Sequence, residues 1–145
     1  IPCNPCQDAC LKHCIKVGDH ITQLPAVEPN STCIGCGMCV ASCPGQAIFL
    51  VDEKDEEGFA DVTLPYEFLP VPAKGDRGVA LGRDGSPVCE AEVVSVRQTR
   101  AFDHTTLLTM RVPADMAMRA RFFRAGSANA ATNETSATAA TAAAE

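Results

Sequence analysis

Apolar and polar positions alternate over several short stretches of this chain and nowhere sustain a long helical period. Residues 47–51, A-I-F-L-V, are a continuous apolar run that predicts a buried strand. Residues 78–81 and 88–96 predict two further strands, joined through Arg83-Asp84-Gly85-Ser86, where Asp-Gly signals a hairpin turn. In the second of these, Cys89, Ala91, Val93 and Ser95 fall on one face. Residues 105–112 predict another strand, and 115–124 read as a helix with Met116, Ala120 and Phe123 on one stripe. Towards the N-terminus, 9–17 read as a helix stopped by Gly18-Asp19 and followed by a strand at 20–24. Residues 40–43 read as a short helix stopped by Pro44-Gly45.

The stretches between these elements divide the chain. Residues 52–58, D-E-K-D-E-E-G, read as a solvated acidic turn. Residues 64–72, L-P-Y-E-F-L-P-V-P, carry three prolines that forbid a regular helix, and read as an extended strap lying on another surface. Residues 125–145 are low-complexity and, alone, read as disordered. The expected organisation is a first module at 1–58, a strap at 59–73, a small β-rich unit at 74–124 and a tail at 125–145. Three strands and one helix do not close a core, so the unit at 74–124 needs the first module or a partner to complete it.

Composition bears on what could hold such a chain together. With no Trp, one Tyr and much of its Ala in the last twenty positions, a large aromatic core is not expected. A module of this size needs a metal or disulfide staple, which makes cofactor loading and folding one process. The formal charge of −6 suits a basic docking patch on a partner protein and disfavours nucleic acid, whose phosphates repel it. No apolar run approaches membrane-spanning length and no secretory signal shows.

Eight of the nine cysteines supply the staple. They form two runs that align after a shift of about thirty residues: Cys3, Cys6, Cys10 and Cys14, then Cys33, Cys36, Cys39 and Cys43. Such a repeat predicts a pseudo-twofold module, each half holding a cysteine loop, a short helix and a strand. The second run reads C-I-G-C-G-M-C-V-A-S-C-P, the C-x2-C-x2-C-x3-C-P spacing that closes thiolates around an iron–sulfide cubane. Gly35 and Gly37 let backbone N–H groups approach the sulfurs, and such hydrogen bonds raise the reduction potential. Zinc and disulfides compete for the same residues. Zinc sites place a longer spacer between cysteine pairs, and an odd cysteine count with close C-x-x-C pairs favours metal over bridges. Metal binding in turn implies a reducing, cytoplasmic setting. Cys6 to Cys10 is one residue longer than its counterpart, and Ile15 stands where the second run has Pro44.

Cys89 reads as a buried structural thiol, and His13, His20 and His104 as scattered surface groups with no base or oxyanion constellation around them. Arg97, Arg100, Arg111, Arg119, Arg121 and Arg124 give the C-terminal unit a basic face, read equally as solvated or as a docking surface.

From Cys3 to Val51 the chain resembles bacterial two-cluster ferredoxins. That resemblance implies an α+β fold: a ferredoxin-like two-cluster module, followed here by a small C-terminal β-rich docking unit and an extended tail. It also implies that the trailing cysteine of each run ligates the other run's cluster. Cys3, Cys6, Cys10 and Cys43 would hold one 4Fe–4S cluster, and Cys33, Cys36, Cys39 and Cys14 the second. The strap L-P-Y-E-F-L-P and the segment K-G-D-R-G-V-A-L-G-R-D-G-S-P-V-C-E-A-E-V resemble the iron–sulfur subunit of heteromeric flavin-dependent amino-acid dehydrogenases of the proline, hydroxyproline and opine type. This second resemblance implies a flavin-containing partner in a hetero-oligomer and a relay from its flavin through the clusters. No Gly-rich phosphate loop follows a strand in this chain, so the flavin is expected on the partner. An independent ferredoxin and a structural assembly subunit are the competing expectations.

Overall fold

A computed structural model describes residues 3–54 and 58–126. Two helices of one turn each, α1 (Pro5–Asp8) and α2 (Met38–Ala41), accompany eight strands: β1 (Ile15–Val17), β2 (Pro25–Val27), β3 (Leu50–Lys54), β4 (Phe59–Tyr66), β5 (Arg77–Leu81), β6 (Pro87–Arg97), β7 (Thr106–Pro113) and β8 (Phe122–Ala125). β1 and β2 form a two-stranded antiparallel ribbon, and the other six make one antiparallel sheet in the order β3-β4-β7-β6-β5-β8.

Alternation along the central strands builds the core. Ala60, Val62 and Leu64 of β4 and Leu108, Met110 and Val112 of β7 point to one side and are almost completely buried. Ala80, Ala91, Val93 and Phe123 join them from β5, β6 and β8. The sheet curls, bringing Arg121, just before β8, over the ring of Phe49, just before β3, with the guanidinium 5.1 Å from the ring centroid. On the opposite side Asp61 of β4 is buried beneath a two-pronged ion pair with Arg111 of β7, at 2.8 and 3.1 Å. Thr63 and Thr109 share a hydroxyl hydrogen bond of 2.8 Å on the same side.

The hairpin and the extents of its strands match expectation, but Ser95 does not share the face of Ala91 and Val93: a register shift after Val93 turns it to the other side and puts Val96 against the main core. β5, β6 and β7 cover the alternating stretches, and the turn closes through Gly82 N–H to Ser86 O at 2.8 Å. Gly85 takes φ +80°, and the Asp84 carboxylate accepts from both Ser86 N–H and Ser86 Oγ.

Several elements differ from expectation. The helix expected over 9–17 is replaced by α1, which begins at Pro5, and by β1. His13 at φ 50° reverses the chain between them, so the backbone serves a cysteine loop instead of a helix. The strand expected at 20–24 is a turn held by Gln23 N–H to His20 O, and β2 lies just beyond it. The second short helix starts at Met38, two residues before the expected start at 40, because left-handed Gly37 (φ +88°) sets its first turn. The strand expected over 47–51 starts at Leu50 and runs into the acidic stretch, where Asp52 and Glu53 pair with Asp61 and Ala60. The rest of the acidic turn, at 55–57, and the tail from 127 lie outside the described residues.

Residues 64–66, expected in a strap, end β4 and are buried. Pro65 is tolerated because β3 stops opposite Thr63, so β4 is an edge there. No helix covers 115–124. A single tight turn at Ala114–Met116 leads into β8, which pairs with β5. Ala117, Ala120 and Phe123 are buried at a spacing of three that imitates a helical stripe.

Candidate metal centre

Each cysteine run is shaped by turns that aim backbone N–H groups at sulfur. In the first run α1 carries Cys6 into the interior at 5% exposure. The Gln7 side-chain carbonyl accepts Val17 N–H at 2.7 Å and ties α1 to β1. The loop then tightens until Cys14 N–H donates to Cys10 Sγ at 3.2 Å. Burial alone would raise the Cys10 thiol. Contacts from the backbone of Cys14, Lys12 and Ile15 and from the Cys14 thiol outweigh it and hold Cys10 below its ordinary value. In the second run Gly35 (φ +62°) donates its N–H to Cys33 Sγ at 3.5 Å. Ala47 N–H reaches Cys43 Sγ at 3.4 Å. Amides converging on sulfur stabilise thiolate, the form that binds metal.

The two runs meet. One cavity of about 140 Å³ is lined by Cys14, Cys33, Cys36 and Cys39, with Cys10 beside them and Ile15, Val27 and Met38 in its walls. The four thiols expected to share the second cluster therefore border one space, with the trailing cysteine of the first run among them. Burial pushes the Cys39 thiol up, and Cys36 and Cys33 add to the rise. Burial likewise raises Cys6, with Cys43 and Cys3 contributing. The expected first set is thus grouped at Cys3, Cys6 and Cys43, while Cys10 borders the cavity with the second set. Thiols that oppose one another's ionisation are what a cationic iron core relieves, so the donor set fits an iron–sulfur group. Among the described residues no three Cys, His, Asp or Glu side chains converge on a point that would hold a single ion. A cubane spreads its four thiolates over four irons and needs them farther apart than ligands of one ion. All nine cysteines are unbridged.

The sheet anchors this centre. Leu107 of β7, fully buried, packs with Cys6, Cys39, Val40 and Phe102 in a second core, distinct from that on the other face. Arg97 at the end of β6 reaches the second run: its Nη1 donates to Cys36 O at 3.1 Å, and its guanidinium stands 5.8 Å from the centroid of the Phe102 ring. Sequence reading grouped Arg97 with a basic outer face. Arg97 at the cysteine loop, Arg111 on Asp61, and Arg121 on Ala120 O and Phe49 are instead partly buried and engaged within the chain. Arg100, Arg119 and Arg124 are exposed. Leu107 and Phe102 carried no sequence signal beyond being apolar. His13, His20 and His104 are exposed, and Cys89 is half-buried on β6 against the main core.

No helix among the described residues is long and apolar enough to cross a membrane. No solved structure matches the chain. Residues 32–73, which contain the second cysteine run, β3 and β4, match the family described as a 4Fe-4S dicluster domain, and the match supports a ferredoxin-type iron–sulfur domain that binds 4Fe–4S and transfers electrons.

Proposed function

We propose that the chain is the electron-transfer subunit of a flavin-dependent dehydrogenase complex and holds two 4Fe–4S clusters. Cys33, Cys36, Cys39 and Cys14 ligate one; Cys3, Cys6, Cys10 and Cys43 ligate the other. The observation that carries this reading is one cavity bordered by Cys33, Cys36 and Cys39 of the second run and by Cys14 and Cys10 of the first. A bound cluster supplies one-electron transfer at a potential set by its surroundings. This chain's part is to supply thiolates, to direct the N–H groups of Gly35 and Ala47 at sulfur, and to wall the second site with Ile15, Val27 and Met38.

The partner is a flavoprotein that oxidises an amino acid or a secondary amine. Phe68 and Leu69 of the strap are 63% and 86% exposed, which supports a strap that lies on another chain. Iron and acid-labile sulfide per chain test the cofactor reading, with about eight of each expected for two cubanes; four or fewer refute the presence of two clusters. Cys36→Ala should lose one cluster, and a full iron complement in that variant would refute its ligand role. The relay is tested in the co-purified complex: reduction of its flavin by substrate should bleach the iron–sulfur absorbance within turnover time. Clusters that stay oxidised while the flavin is reduced would leave a structural role.

A further inference from the structure

We infer that Arg97 is a positioning and potential-setting residue for the cluster of the second cysteine run, an inference that rests on the two-cluster reading above. Its place follows from an irregularity in the sheet. The register between β6 and β7 shifts between Val93, opposite Met110, and Ser95, opposite Thr109. Beyond the shift Val96 faces Leu108 and Arg97 faces Leu107, whose side chain lies in the second core with Cys6 and Cys39. The bulge therefore delivers an arginine, in place of Val96, to the face that carries the cysteine loops.

There the guanidinium is held on two sides. Nη1 donates to the Cys36 carbonyl at 3.1 Å, and the ring of Phe102 supports it at 5.8 Å. Nη2 stands 3.1 Å from where a side chain on Gly37 would begin, so the guanidinium lies close against the glycine backbone. Among the described residues no carboxylate forms an ion pair with Arg97. A half-buried cation without a counter-ion is costly unless an anion arrives. The cation sits on the Cys36–Gly37 peptide, between the ligands Cys36 and Cys39. Each electron added to a cluster held there adds one negative charge. A fixed positive charge favours the reduced form and raises the potential.

The test is a redox titration of the full-length, iron-loaded chain with dithionite, followed by paramagnetic resonance. The second-run couple is identified as the one whose signal Cys33→Ser alters. Arg97→Gln removes the charge and should shift the oxidised-to-reduced equilibrium about tenfold towards oxidised, about 59 mV for one electron. Arg97→Lys keeps the charge and should shift it less than twofold. An unmoved potential in iron-loaded Arg97→Gln overturns the assignment, as does an equal shift in both variants, which would make the hydrogen bond responsible and not the charge. If Arg97→Gln purifies without iron, Arg97→Lys decides: a potential within twofold of wild type supports the assignment, and a tenfold shift overturns it. Wild-type chain is assayed first. Iron-free wild type sinks the two-cluster reading and this inference with it, whereas iron-loaded wild type with an unmoved variant sinks this inference alone.

Discussion

Gly37 joins the cysteine loop to the sheet, and replacing it with alanine tests that joint. The residue has φ +88°, where an L side chain costs about 1–2 kcal/mol. A Cβ there would stand 2.5 Å from Leu107 Cδ1, well inside the roughly 3.5–4.0 Å at which carbon atoms attract. Leu107 is 0% exposed and has no solvent to swing into. Overpacking of this kind costs about 1–3 kcal/mol, so Gly37→Ala should destabilise the chain by about 2–5 kcal/mol. The two contributions separate in a double-mutant cycle. Leu107→Ala alone should cost about 2–5 kcal/mol as a buried truncation. Combined with Gly37→Ala it removes the clash, so the double variant should be more stable than the sum of the singles predicts by about 1–3 kcal/mol. The backbone penalty should persist. Urea unfolding followed by circular dichroism provides the energies, and iron per chain reports whether the loop between Cys36 and Cys39 still loads. Singles that add to within about 0.5 kcal/mol would refute direct contact between the loop and β7.

Asp61→Asn breaks a charge-assisted pair whose carboxylate is buried and whose guanidinium is partly exposed, and should lower stability by about 2–3 kcal/mol in urea without changing iron content. Cys89→Ser should also leave iron unchanged, since Cys89 lies on β6 against the main core. Burial raises the Cys89 thiol, Asp115 adds to the rise and Arg119 opposes it. Its thiolate is therefore scarcer at neutral pH than that of an ordinary thiol, and alkylation by iodoacetamide in the iron-loaded chain should climb with pH to a midpoint above the usual cysteine range. Asp115→Asn should move that midpoint down; an ordinary or lowered midpoint in wild type would contradict the burial argument.

Sequence pattern served well where one periodicity acted alone. β5, β6 and β7 lie where short alternating stretches predict them, and Asp84-Gly85 marks the β5–β6 hairpin, so local propensity and strand placement agree up to the register shift after Val93. It served poorly around the cysteines, where ligand spacing overrides hydrophobic period. Residues 9–17 read as a helix, yet the backbone within them turns at His13 to bring Cys14 N–H to Cys10 Sγ. The terminal stripe misled for a related reason. Apolar residues three apart fit a helix as readily as a tight turn followed by a strand, and the free edge of β5 decides between them by pairing with β8.

The candidate site divides along the same line. Spacing alone singled out the candidate thiols, because those of each run lie close in sequence. Their electrostatic setting could not be read that way. Arg97 lies 61 residues from Cys36, and one inserted residue in β6 decides which side of the sheet it occupies. Strict alternation from Cys89 places Ser95 on the core face; the register shift hands that role to Val96 and turns Arg97 to the cysteine loop. A slip of one residue exchanges the faces of a strand. The part of the chain that sequence reading set aside as a docking unit thus supplies the charge beside the second cysteine run, and the potential of any cluster bound there depends on a strand whose sequence carries no metal motif.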